Sequence, residues 1–182
     1  KQTSLNLKYI GVLSRFEWRE EPIKYDILIL LSGPEPQRSL LEAKLLKAFK
    51  HYKGRVVMVR GVIEKDEVTY SENSIKIINF LKAKPLEKLI LQSQIVIARS
   101  GYTTLMDLAK LDKKAFFIPT PGQYEQQYLA KRLMAHHIAP YCQQQHFKIE
   151  QLKKIDFCSG LNRLVFDRNL CFTRCFSLFD GK

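Results

Sequence analysis

Short apolar runs alternate with helix-like segments through most of the 182-residue chain. Each run has the length of a strand and is rich in β-branched or large apolar residues, and a segment with helical spacing of apolar residues follows it. The runs are Tyr25–Leu31, RVVMVRG, SIKIINFL, QIVIA and AFFIP, with IAPYC as a sixth candidate. Continuous apolar strands separated by helices are typical of sheets that are covered on both faces. We therefore predict an α/β fold, a Rossmann-like parallel sheet with helices on both faces.

The alternation extends over residues 25–157, which predicts one domain across that range. Residues 1–24 contain one apolar piece, YIGVLSRF, and then EWREEPIKY with its proline, so we interpret them as a linker or the remnant of a preceding domain. Residues 158–182 are aromatic and basic without a clean period, which predicts a C-terminal helix or tail. The chain begins with lysine and has no signal peptide, so we expect its start to be a cut inside a longer chain.

The formal charge of +12 indicates attraction to phosphates, whether of nucleic acid, anionic lipid or a nucleotide. The basic residues are scattered and no nucleic-acid motif accompanies them, so we expect a solvated basic face and no nucleic-acid partner. The four cysteines are irregularly spaced without a CxxC pair, which favours reduced thiols in the cytosol over a zinc site or a disulfide framework. No apolar segment is long enough to cross a bilayer.

Ligands of an open parallel sheet bind outside the carboxyl ends of the strands, which directs attention to three strand-to-helix junctions. In the second junction, ARSGYTT, Gly101 lets the backbone approach a ligand, and the amides of Tyr102, Thr103 and Thr104 can bind an anion. Asp107 lies one turn into the helix, where it can accept hydrogen bonds from ribose hydroxyls. The alternative is that a threonine only caps the helix and that Asp107 only favours the positive end of its dipole.

The other two junctions carry weaker signals. Ser32 and Gly33 end the first strand before a helix, a geometry that favours phosphate, although the pair is neither a Walker loop nor GxGxxG. The third junction, PTPGQYEQQ, presents Gln123, Glu125 and Gln126 at a helix start. Their amides and carboxylate suit sugar hydroxyls, and a polar loop with a helix cap is the alternative.

These junctions in this order resemble the family-28 glycosyltransferase C-terminal domain, the C-terminal half of the MurG-like GT-B fold. The resemblance depends on LLSGPEPQR, on IINFL before PLEKLILQSQIVIARSGYTTLMDL, and on KAFFIPTPGQYEQQYLAKRL, and it covers about Asp26 to Tyr141. The family usually has glutamate at the position of Asp107 and asparagine at that of Leu129.

The resemblance implies that this domain binds a nucleotide-sugar donor, usually UDP-N-acetylglucosamine. Carried over by position, Phe80 and Leu81 would lie beside the base, Asp107 would hold the ribose, and Gln123, Glu125 and Gln126 would approach the sugar. The residues expected at the donor diphosphate are Ser32, Gly33, Arg99, Ser100, Gly101, Tyr102, Thr103 and Thr104. For Arg99 the residue type alone leaves an alternative open, in which the side chain forms an ion pair with an acidic surface residue and does not contact phosphate.

The resemblance further implies an inverting glycosyltransferase whose acceptor domain and catalytic base precede Lys1, so that this piece binds the donor without turning it over. No cofactor or metal is expected, because the sequence has no DxD motif and helix N-termini with basic groups can stabilise the leaving diphosphate. Two alternatives stay open: a UDP-sugar epimerase or hydrolase of the same architecture, and a split, non-catalytic donor-binding subunit. We expect a cytoplasmic protein, peripheral on the inner face of the cytoplasmic membrane where anionic lipids would attract its positive charge.

Overall fold

The computed structural model describes residues 13–63, 69–72 and 75–161 of the chain, with residues 69–72 described as backbone only. The strands are β1 (Tyr25–Leu30), β2 (Val56–Val59), β3 (Thr69–Glu72), β4 (Ile75–Ile78), β5 (Ser93–Ala98) and β6 (Lys114–Phe117). The α-helices are α1 (Gln37–Phe49), α2 (Ala83–Leu91), α3 (Tyr102–Lys110) and α4 (Tyr124–Ala135). Two 3₁₀ helices, Gln144–His146 and Ile149–Phe157, follow.

The strands form one sheet in the order β3-β4-β2-β1-β5-β6. Five neighbouring strands of the sheet, β4, β2, β1, β5 and β6, are parallel, as predicted, and β3 pairs antiparallel with β4 at the edge. The sequence did not predict β3, since its segment TYSE has no apolar run. The sixth candidate strand, IAPYC, is wrong as an element: it contributes a single parallel bridge between Tyr141 and Phe117.

Two apolar cores lie on the two faces of the sheet, because successive strand residues point to opposite sides. One core joins alternate residues such as Ile27 and Ile29 to the buried side of α1 and to the second 3₁₀ helix. The other joins Leu28 and Val96 to α2, α3 and α4. Helices therefore cover both faces, which confirms the predicted Rossmann-like architecture.

Residues 13–24 pack against this domain. The Phe16 side chain is 1% exposed and belongs to the core shared by α2 and α3. At the far end of the segment, the backbone N–H of Lys24 donates to the carbonyl of Gln92 at 2.8 Å. The segment thus runs from the carboxyl edge of the sheet to its opposite edge. Residues 1–12 of the predicted linker and 162–182 of the predicted tail lie outside the described residues.

None of the helices in the described ranges is long and apolar enough to cross a membrane.

Candidate nucleotide site

A cavity of about 300 Å³ opens at the carboxyl edge of the sheet, above the ends of β1, β2 and β4 and beside the start of α3. Its position agrees with the rule that ligands of open parallel sheets bind at this edge. Six of the residues predicted from the sequence line it together: Ser32, Phe80, Leu81, Thr103, Thr104 and Asp107. These six residues come from three separate stretches of the chain, which the fold brings together at one cavity.

One wall of the cavity is apolar. Phe80 and Leu81 follow β4, are half-buried, and line the cavity together with apolar side chains of the strands and helices. The other apolar lining residues are Phe16, Leu30, Leu31, Val59, Ile63, Leu86, Ile90 and Leu108. An apolar wall next to a few polar groups is the usual composition of a small-molecule pocket, and this wall suits the faces of a planar heterocycle.

The N-terminus of α3 also borders the cavity, through Thr103 and Thr104. Gly101 is the N-cap residue in an extended conformation, and no side chain caps the helix. The alternative in which a threonine caps this helix is therefore not realised. The amides of Tyr102, Thr103 and Thr104 stand in the first turn, where N–H groups have no partner within the helix. Together with the positive end of the helix dipole, they favour an anion here.

Asp107 lies one turn further along α3 and is only 7% exposed. Burial raises the pKa of its carboxyl group, while a hydrogen bond from Ser14 and the charge of Arg15 act in the opposite direction. Ser14 Oγ donates to Asp107 Oδ1 at 2.6 Å. Asp107 is thus a buried carboxylate at the edge of an open pocket, which suits an acceptor of hydroxyl hydrogens.

Arg99, expected at the diphosphate, is not among the lining residues. Its side chain is 1% exposed and donates hydrogen bonds to protein oxygens. The acceptors are the carbonyls of Ile118 (3.0 Å), Pro119 (3.1 Å) and Gln37 (2.9 Å) and the side chain of Gln144 (2.8 Å). Burial lowers the pKa of Arg99 to about 10, so the group is still charged at neutral pH. The residue ties the ends of β5 and β6 to α1.

Ser100 and Gln126 also make contacts within the protein. Ser100 Oγ donates to the backbone carbonyl of Gln126 at 2.7 Å, which joins the β5–α3 junction to α4. Gln126 Oε1 accepts the backbone N–H of Thr120 at 2.9 Å. Gln123, which bonds to Gln126, and Glu125 are exposed at the start of α4 and do not line the cavity.

Three further predicted residues adjoin the cavity without lining it. Gly33 follows the lining residue Ser32 and has a φ of +104°, which favours glycine. Gly101 has nothing within 4 Å of the point where a side chain would start, so the backbone there is open to a ligand. Tyr102 is half exposed.

The sequence reasoning missed Arg15 and Phe16, which line the cavity from the N-terminal segment. The Arg15 guanidinium lies 5.0 Å from the centre of the Phe16 ring, a cation–π distance. It also missed Gly61 and Ile63 in the loop after β2. Arg15 and Phe16 lie in the run YIGVLSRF, which precedes the first strand, so the rule for strand-to-helix junctions does not reach them.

In residues 13–63, 69–72 and 75–161 no three His, Cys, Asp or Glu side chains are grouped closely enough to hold a metal ion.

The sheet and the position of the cavity define a Rossmann-like domain of the kind that forms the C-terminal half of a GT-B glycosyltransferase. Residues 29–155 match the glycosyltransferase family 28 C-terminal domain, and the chain belongs to that family. It is therefore a donor-binding domain of this class of transferase. None of the curated proteins matches the sequence significantly.

Solved structures with the same fold include MurG of Acinetobacter baumannii, which is 19% identical with a TM-score of 0.55. The match covers 81% of this chain and 48% of MurG. The glycotransferase of kitacinnamycin is 13% identical with a TM-score of 0.64, over 91% of this chain and 45% of that one. The glycosyltransferase VinC, solved in complex with dTDP, is 14% identical with a TM-score of 0.51, and the match covers 80% of this chain and 41% of VinC. The chain spans about half the length of these structures.

Proposed function

We propose that the domain binds a UDP-sugar, with N-acetylglucosamine as the sugar, and presents it for transfer with inversion to an acceptor held by a preceding domain. The cavity between Phe80 and Asp107 carries the proposal. It combines an apolar wall, an uncapped helix N-terminus and a buried carboxylate at one edge of the sheet. Membership of the family supports a nucleotide-sugar donor.

In the proposed complex, the uracil ring lies against Phe80 and Leu81, and Asp107 accepts hydrogen bonds from the ribose hydroxyls. The diphosphate lies at the start of α3, where the Gly101–Thr104 amides and Ser32 donate to it. Arg15 adds a positive charge on the same side of the cavity.

The sugar extends from the diphosphate toward the start of α4, where Gln123 and Glu125 are exposed. Gln126 takes part chiefly by holding this loop, since its side chain already accepts the N–H of Thr120. Arg99 and Ser100 act in the same indirect way, by holding the junctions from which the ligand groups extend.

The proposal needs no metal ion. The amides at the α3 N-terminus and the charge of Arg15 would stabilise the diphosphate as it leaves. The catalytic base is assigned to the preceding domain, so the domain by itself would bind the donor without transfer.

Isothermal titration of the domain with UDP, UDP-N-acetylglucosamine, GDP and a short DNA duplex tests the proposal. We expect UDP and its sugar derivative to bind, and GDP and the duplex to bind far more weakly. Asp107→Ala should weaken UDP about 10- to 100-fold, because a hydrogen bond to a charged group is lost. It should leave the affinity for 2′,3′-dideoxyuridine diphosphate unchanged, and Asp156→Ala, an exposed aspartate outside the cavity, serves as control. Tight duplex binding with no response to UDP would contradict the proposal.

Transfer is favoured over the epimerase or hydrolase alternative by the family match. In addition, Asp107 is the only acidic side chain that lines the cavity in the described residues, and no histidine does. A split donor-binding subunit would have the same cavity. The gene sequence distinguishes the two. An acceptor domain encoded in the same reading frame indicates a single-chain transferase, and an acceptor domain encoded separately indicates the split subunit. We place the protein in the cytoplasm, with basic residues toward the anionic inner surface of the membrane.

A further inference from the structure

Ser14 and Asp107 are 93 positions apart in the chain and meet at the polar side of the cavity. Ser14 Oγ donates to Asp107 Oδ1 at 2.6 Å and accepts the backbone N–H of Phe16 at 3.1 Å. A serine hydroxyl has one hydrogen to donate, and the N–H that it accepts sets the orientation of its oxygen. The hydroxyl is therefore held in position with its hydrogen directed at the carboxylate.

The segment that carries Ser14 is anchored on both sides of this contact. Before it, the Leu13 N–H lies 3.4 Å from the Met106 sulfur. After it, Phe16 is buried in the core, and the Glu17 N–H donates to the Glu87 carboxylate at 2.9 Å. Ser14 thus reaches Asp107 from a backbone that the rest of the domain already holds.

We infer that Ser14 is a positioning residue of the nucleotide pocket: its hydroxyl holds one oxygen of the Asp107 carboxylate and leaves the other free to accept ribose hydroxyls. Within the described part of the chain, Asp107 Oδ2 makes no hydrogen bond. The inference rests on the proposed function, in which Asp107 receives the ribose. It adds the N-terminal segment, outside the predicted domain, to the site.

Charged side chains lie on the elements around Asp107 in the described part of the chain. Arg15 acts on it from the same segment as Ser14. On the neighbouring elements, Lys110 of α3 pairs with Glu17 at 3.4 Å, and Glu87 of α2 pairs with Arg19. The bond from Ser14 counteracts the effect of burial, which raises the pKa of Asp107. Without this bond that pKa rises further, so the carboxylate is lost at a higher pH.

Titration calorimetry of UDP between pH 5 and 8, together with an NMR titration of the Asp107 carboxyl carbon in the free domain, tests the inference. For Ser14→Ala we expect UDP affinity about tenfold lower at pH 7.5, the loss for one hydrogen bond to a charged group. We also expect the fall of affinity at low pH to begin at a higher pH, in step with the carboxyl titration. Ser159→Ala, which removes a hydroxyl at an exposed site, should match the unchanged protein.

A second pair of variants separates the hydroxyl from any effect on folding. Ser14→Thr keeps the hydroxyl and adds a methyl group. Ser14→Val gives a side chain of nearly the same shape as threonine but without the hydroxyl, so the two variants should disturb the packing equally. The threonine variant should retain the affinity and the pH profile, and the valine variant should resemble Ser14→Ala. If threonine and valine variants bind UDP alike, or if Ser14→Ala has an unaltered pH profile, the inference is overturned while the proposed function stands. Failure of the unchanged protein to bind UDP would instead overturn the proposed function itself.

Discussion

Arg99 and Gln144 are 45 positions apart, and Arg99 Nη2 donates to Gln144 Oε1 at 2.8 Å in the buried space beneath the carboxyl edge of the sheet. The same guanidinium nitrogen also donates to the backbone carbonyl of Gln37, at the first residue of α1. A single side chain thus fixes the relative positions of β5, α1 and the first 3₁₀ helix. Neither Arg99 nor any of these partners lines the cavity, so the network holds the carboxyl edge of the sheet together from outside the cavity.

Arg99→Ala should reduce the free energy of unfolding by about 3 kcal/mol, because buried carbonyl oxygens would lose their donors. Arg55→Ala is a suitable control, since Arg55 pairs with Asp26 at the surface and its loss should cost less than about 1 kcal/mol. Urea denaturation followed by circular dichroism measures both. A loss for Arg99→Ala no larger than the control would show that the network does not stabilise the fold.

Gly61→Ala should destabilise the domain by about 1–3 kcal/mol. Gly61 has a φ of +72°, and a Cβ atom there would lie 2.7 Å from the Leu31 carbonyl oxygen. Gly122→Ala separates the two causes, because Gly122 has a φ of +81° with nothing within 4 Å of the added atom. The difference between their unfolding free energies therefore measures the clash alone. Since Gly61 and Leu31 both line the cavity, Gly61→Ala should also weaken UDP binding, and Gly122→Ala should not.

The sequence predicted the five parallel strands because strands buried on both faces must be apolar throughout, and such runs stand out between helices. It did not predict β3, whose edge position requires no apolar run. The packing of residues 13–24 could not be predicted from the sequence either. It depends on contacts of Glu17 with Glu87, 70 positions away, and of Ser14 with Asp107, 93 positions away. Local patterns determine the elements, whereas such distant contacts appear only in the folded chain.

The candidate site divides in the same way. Ser32, Thr103 and Asp107 were predicted from the sheet-edge rule, and all three line the cavity. Arg99 follows the end of a strand as well, but its partners are the backbone carbonyl oxygens of Ile118, Pro119 and Gln37 and the side-chain oxygen of Gln144. An arginine at a strand end has the same sequence signal whether a phosphate or a carbonyl lies within its reach, so the sequence does not decide its role.

Asp107→Asn should make the domain more stable at neutral pH. Burial raises the pKa of Asp107 above the ordinary value of 3.8, so the folded state binds more protons than the unfolded chain between the two values. Stability contributed by this group therefore falls as the pH rises through that window and stays low above it. Asparagine does not ionise and still offers Oδ1 to Ser14, so its advantage should be present at pH 7 and absent near pH 3.

Urea midpoints of the Asp107→Asn variant and the unchanged protein at each pH measure this difference. Asp156→Asn, on the exposed side of the second 3₁₀ helix, should change stability by less than about 0.5 kcal/mol at either pH. The quantity compared is the stability of Asp107→Asn minus that of the unchanged protein. If this difference is smaller at pH 7 than at pH 3, it would contradict a raised pKa for Asp107.

Phe80→Ala tests the apolar wall of the cavity. Phe80 is half-buried beside Leu81, and if the uracil ring lies on it, removal of the ring should weaken UDP about tenfold through the loss of stacking and buried area. Inorganic pyrophosphate has no base, so its binding should be unchanged in the same variant. Phe157→Ala is a matched control, because Phe157 is 81% exposed and does not line the cavity. Calorimetry with both ligands distinguishes contacts to the base from contacts to the diphosphate. Equal losses of affinity for UDP and pyrophosphate would show that the base does not bind at this wall.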